Sequence, residues 1–133
     1  SSCDKCDFEA DLCKAFHELN LESGWIRRNG QSGMGPPYSD HRGNESAYFL
    51  SLSTDMQSSS ATLRTNVFLP TDEDHICQIT FHYWISQMNG MLIVGLQKHS
   101  EDTITNIWQV SGELQNQWKS NTITINSTEK YEV

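Results

Sequence analysis

The chain has 133 residues, of which 36% are hydrophobic and 10% aromatic, enough for one folded core and too apolar for an extended disordered segment. Seventeen acidic residues against nine basic ones give a net charge of −8, and no basic run exceeds Arg27-Arg28, which excludes a protein built to grip a phosphate backbone. Apolar stretches such as Met91-Leu92-Ile93-Val94 fall far short of the roughly 20 residues that a membrane-crossing helix needs.

The opening Ser1-Ser2-Cys3-Asp4 has neither a basic n-region nor an apolar h-region, so a secretion signal is expected upstream or already removed. The four cysteines, Cys3, Cys6, Cys13 and Cys77, admit three complete pairings. Cys6 and Cys13 are close enough along the chain for one turn to bring their sulfurs into bonding range, and this bridge is expected. Cys77 then pairs with Cys3 or with a partner outside the chain. Cys3-x-x-Cys6 has zinc-like spacing, but no second pair completes a tetrahedral site.

Residues 13–22 carry a mixed pattern that supports one helical turn at most. Asn29 to Pro37 concentrates glycine and proline and reads as a surface loop. Ala47 to Leu52 reads as a strand, and Ala61 to Leu69 as a second, closed by Pro70. From Ile76 to Ser86 the alternation is sharp: Ile76, Gln78, Thr80, His82 and Trp84 share one face, while Cys77, Ile79, Phe81, Tyr83 and Ile85 form the core face. Asn89-Gly90 predicts a hairpin returning through Met91 to Leu96. Thr103 to Val110 and Trp118 to Ile125 follow as strands, separated by a turn at Ser111-Gly112-Glu113. Many short strands without a helical period predict an all-β sandwich or jelly roll.

Five segments, in order, resemble the MAM family of meprins, neuropilins and receptor phosphatases. Cys6-Asp7-Phe8-Glu9-Ala10-Asp11-Leu12-Cys13 is similar to the family's opening, and Trp25 stands where its early tryptophan is expected. Gly35-Pro36-Pro37-Tyr38-Ser39-Asp40-His41-Arg42-Gly43 resembles its Gly-Pro loop, with Arg42 where the family has threonine. Cys77-Gln78-Ile79-Thr80-Phe81-His82-Tyr83-Trp84 is similar to its cysteine-led aromatic strand. Trp108 to Gly112 and Asn116-Gln117-Trp118 resemble its later tryptophan segments. The resemblance covers 6–133, after a leading segment 1–5. It implies an all-β jelly-roll β-sandwich of two antiparallel sheets, an extracellular adhesive or assembly role, and a further C-terminal segment whose last cysteine pairs with the position of Cys77.

Asn44-Glu45-Ser46 and Asn126-Ser127-Thr128 are glycosylation sequons, and with the cysteines they point to an oxidising compartment. Glu9, Asp11 and Asp40 are the carboxylates best suited to a hard cation, since calcium takes oxygen ligands from acidic side chains and loop carbonyls. The resemblance implies the same, because some MAM domains hold a structural calcium near the matching Glu and Asp. His17, His41, His75, His82 and His99 are scattered. His17-Glu18 begins a zincin motif, but Leu21 stands where its second histidine belongs. No catalytic constellation and no cofactor beyond calcium is expected. The function read from the sequence is a non-catalytic module for protein–protein adhesion or oligomerisation in a larger secreted or cell-surface protein, with a protein partner or a second copy as ligand. Carbohydrate recognition is the alternative, with Trp25, Trp84, Trp108 and Trp118 as a sugar-stacking platform.

Overall fold

A computed structural model describes residues 9, 16–18, 25–52, 62–74, 76–85, 90–111 and 116–133. Those residues are all-β, with no helix among them. In chain order the strands are β1 (Phe16–Glu18), β2 (Trp25–Asn29), β3 (Tyr48–Leu52), β4 (Leu63–Thr65), β5 (Cys77–Tyr83), β6 (Met91–Lys98), β7 (Thr105–Ser111), β8 (Lys119–Ile125) and β9 (Tyr131–Glu132). Every pairing is antiparallel. The chain forms two compact units that divide between Asn66 and Val67.

In the N-terminal unit β1 pairs with β4, and β2 with β3. The segment credited with a helical turn at most is a strand over Phe16–Glu18, because β4 supplies a cross-strand partner that local sequence does not reveal. The sequence gives no clear sign of β2, since Arg27 and Arg28 break its apolar pattern. Aromatic residues of β3 resolve that conflict. The Arg27 guanidinium lies 3.7 Å from the Tyr48 ring centroid and that of Arg28 lies 4.7 Å from Phe49, so each charged side chain covers an aromatic face.

The C-terminal unit contains two sheets, β5–β8 and β7–β6–β9. The alternation read in β5 holds: Cys77, Ile79, Phe81 and Tyr83 are half-buried while Gln78, Thr80 and His82 are exposed. The two sheets pack face to face through aromatic contacts. Trp108 of β7 meets Phe81 and Tyr83 edge to face at 5.0 and 5.3 Å, a geometry that sets positive ring edges against negative faces. Leu96, Ile125 and Tyr131 form the buried centre, with Phe68, Cys77, Ile79, Ile107 and Val133 around them. Tyr131 is 1% exposed, and its backbone exchanges hydrogen bonds with Phe68 at 2.8 and 3.2 Å. This is a β-sandwich arrangement.

The expected hairpin between β5 and β6 does not form. β5 pairs with β8, from Cys77 opposite Ile125 to Tyr83 opposite Lys119, and β6 pairs with β7 and β9. Setting the two strands in opposed sheets directs Ile79 of β5 and Leu96 of β6 into one core. Asn89 lies outside the described residues, so the turn it was expected to make is not described.

Candidate functional site

Leu92, Val94 and Leu96 point inward from β6, which leaves Met91, Ile93 and Gly95 on its outer face. Met91 is 57% exposed and Ile93 52%. Gly95 extends the row in an unusual way. A Cβ at Gly95 would collide with the Ile104 side chain, so Ile104 lies across β6 where Gly95 leaves room, and it is itself 56% exposed. Met91, Ile93 and Ile104 therefore form an apolar stripe along an open sheet face.

β7 borders this stripe with uncharged polar groups. Ser111, Gln109 and Asn106 stand opposite Met91, Ile93 and Gly95, and Asn106 Nδ2 donates to Gln109 Oε1 at 2.6 Å. The register slips between Val94 and Gly95, where Ile107 has no partner across the strand. That bulge lets both Ile107 and Trp108 turn inward and keeps the next outward residue polar. An apolar strip beside uncharged amides and a hydroxyl loses little hydration when covered by another protein. The continuous run Met91 to Val94 was the available signal, since a strand apolar at both parities has two faces to cover.

The outer face of β5–β8 is different. Thr80 and Thr122 hydroxyls are 2.9 Å apart, Gln78 Nε2 donates to Thr124 Oγ1 at 3.5 Å, and His82 stands opposite Ser120. Asn126 follows this polar ladder and is exposed, as is Asn44 in the N-terminal unit. Asn44 Oδ1 accepts hydrogen bonds from Ser46 N at 3.0 Å and Ser46 Oγ at 2.9 Å, an Asx-turn geometry. Both sequon asparagines thus lie at the surface.

The loop joining β2 to β3 is fastened at two points. Arg28, 6% exposed, donates to the carbonyl oxygens of Pro36 at 3.1 Å and Pro37 at 3.3 Å, and to Ser51 Oγ at 3.0 Å. Asp40, 4% exposed, accepts from the backbone N–H groups of Arg42 and Asn44 through Oδ1, both at 2.9 Å. Its Oδ2 accepts from Arg42 Nε and pairs with Nη2, each at 3.1 Å. Burial pushes the Asp40 carboxyl up, but the two backbone hydrogen bonds and the Arg42 guanidinium outweigh it and hold the group below the usual carboxylate range.

Those contacts bear on the calcium expectation. Both Asp40 oxygens are already engaged, and Arg42 supplies the opposite charge where the resembling family has threonine. Glu9 Oε1 accepts from Tyr48 N at 2.9 Å, and its backbone oxygen accepts from the Arg27 guanidinium. Asp11 lies outside the described residues. Both Asp40 oxygens and Glu9 Oε1 are thus engaged by protein donors, and no group of three or more acidic, histidine or cysteine side chains suited to a metal occurs among the described residues.

Cys3, Cys6 and Cys13 lie outside the described residues, so the Cys6–Cys13 bridge does too. Cys77 is half-buried, forms no bridge among the described residues, and is in hydrogen-bond contact with the Tyr131 hydroxyl. Burial first, and this contact second, push the Tyr131 phenol well above its ordinary value. The four tryptophans are all half-buried. Trp84 and Trp118 meet edge to face at 5.9 Å, Trp108 belongs to the sandwich core, and the indole N–H groups of Trp25 and Trp84 are turned away from solvent.

A family model for the MAM domain, meprin/A5/mu, matches residues 6–133. MAM domains are generally non-catalytic modules of extracellular and ectodomain regions, and their family role is adhesive protein–protein interaction. No helix among the described residues is long and apolar enough to cross a membrane. With an antiparallel β-sandwich in place and the match running from Cys6 to the last residue, this chain belongs to the MAM domain family.

Proposed function

We propose that this MAM domain is a non-catalytic module that binds protein through the outer face of β6 and β7, in adhesion or oligomerisation of a larger secreted or cell-surface protein. The observation that carries this reading is the exposed stripe of Met91, Ile93 and Ile104 beside Asn106, Gln109 and Ser111. Because the stripe stands on paired strands, binding there orders side chains but no backbone, which limits the entropic cost of association. The absence of charge on these six side chains lets a protein of net charge −8 approach a partner, including a second copy, without like charges meeting at the contact.

The half-buried, edge-to-face tryptophans favour this reading over sugar stacking, which works best on open ring faces. The test is a parallel screen of the glycosylated domain against displayed extracellular proteins, the domain itself among them, and against an array of immobilised glycans. Binding to a protein that is lost in an Ile93→Asp, Ile104→Asp double variant supports the proposal. Reproducible binding to one sugar class, unaffected by that double variant, would replace it with the lectin reading.

A further inference from the structure

The outward face of β5 and β8 ends in a pair just beyond the strands themselves. Cys77 stands opposite Ile125 and Gln78 opposite Thr124, so the next step of the same register sets Ile76 across from Asn126. Residues so placed have Cβ atoms about 4.5–5.5 Å apart. Ile76 is 66% exposed, an apolar side chain at the end of a ladder that is otherwise threonine, glutamine, serine and histidine. Both residues line an open groove of about 590 Å³, with Thr71, Lys98, Thr124 and Thr128 among the other walls.

The backbone that carries Asn126 is held firmly. Thr71 N donates to Ser127 O at 2.8 Å, and Ser127 N donates to Thr71 Oγ1 at 2.8 Å. Ser127, 4% exposed, also donates through Oγ to Glu129 O at 2.6 Å. A group attached to the Asn126 amide therefore starts from a fixed point at the groove wall, and its entry is intramolecular.

We infer that the innermost N-acetylglucosamine of a glycan on Asn126 lies back in this groove, with its C–H face and N-acetyl methyl over Ile76 and its hydroxyls toward Thr71 and Lys98. This rests on the reading of the chain as an extracellular, glycosylated module. It makes the Asn126 glycan a part of the folded sheet face, covering apolar surface that the protein leaves open, while the β6–β7 face carries no sequon.

The experiment uses the domain from a glycosylating host, with Asn44→Gln so that Asn126 is the remaining sequon. Mass spectrometry first establishes the sugar on Asn126, and an endoglycosidase then trims it to a single N-acetylglucosamine. The inference expects a nuclear Overhauser contact between the N-acetyl methyl and the Ile76 methyls. It also expects a thermal midpoint a few degrees above that of Asn126→Gln, a difference that disappears when Ile76→Ser is added to both. A trimmed glycoform with no Ile76 contact and no shift would overturn the docked sugar while leaving glycosylation intact. A bare Asn126 from such a host would overturn the inference at its root, along with the expectation of modification there.

Discussion

Arg28 on β2 donates 3.3 Å to the carbonyl oxygen of Pro37, nine positions further on, and so ties the strand to the far side of the loop that follows it. Pro36 O and Ser51 Oγ take further bonds from the same guanidinium, and the Phe49 ring lies beneath it. A planar group with donors on several edges can satisfy this ring of acceptors, whereas an ammonium cannot span it.

Arg28→Lys should therefore destabilise the domain nearly as much as Arg28→Ala, by about 2–3 kcal/mol, because carbonyl groups at a buried site lose charged donors. Chemical denaturation of the two variants measures this. A lysine variant within about 0.5 kcal/mol of the natural protein would show that packing over Phe49, and not the hydrogen bonds, is what the position requires.

Asp40 gives a pH dependence with a defined sign. Its carboxyl is held below the ordinary range in the folded protein, so its stabilisation is present above the unfolded value of about 3.9 and is lost as pH falls through the lower folded value. The Arg42 side chain is 62% exposed, so the ion pair itself contributes less than about 1 kcal/mol and the two backbone hydrogen bonds account for most of the effect. Asp40→Asn should cost about 1–2 kcal/mol at neutral pH, and the gap between variant and natural protein should narrow below about pH 4. Urea titrations at pH 7 and in acid decide it; a gap that widens in acid contradicts the assignment.

At the alkaline end Tyr131 acts in the opposite sense. Its phenol titrates above the ordinary value because burial, and then the Cys77 contact, disfavour the phenolate. The stability this represents is complete below the unfolded value of about 10 and is lost as pH rises toward the folded one. Of the four tyrosines, one should ionise only as the domain unfolds, and Tyr131→Phe should remove that late step from the phenolate absorbance titration while sparing the ring packing on Phe68. Reversible ionisation of all four before unfolding would contradict the burial of this group.

Much of the fold is legible in the sequence because strand alternation is a local signal. Ile79, Phe81 and Tyr83 against Gln78, Thr80 and His82 fix which face of β5 is buried, and the structure keeps that division. Strand partnership is not local. Asn89-Gly90 suggested β5 beside β6, but β8, about 40 residues away, offers Ile123 and Ile125 on a matching inner face. β2 escaped for a related reason: two arginines look like solvent-facing charge until Tyr48 and Phe49 are placed beneath them. The carboxylate of Asp40 was identified as a site residue, yet its pairing with Arg42 and two backbone amides depends on the closed shape of the loop. Ile104 was the least visible, because its place in the stripe depends on Gly95 having no side chain.

The central claim, protein recognition through the β6–β7 face, is tested most directly by the affinity of the domain for its protein ligand when Ile93 alone becomes Asp. Ile93 is half-exposed and lies on the surface of β6, so the substitution should leave the unfolding midpoint close to that of the natural protein. A charge set in the middle of an apolar contact should weaken binding at least about tenfold, equivalent to roughly 1.4 kcal/mol. Unchanged affinity in a folded Ile93→Asp variant would contradict the claim and move the binding surface elsewhere on the domain.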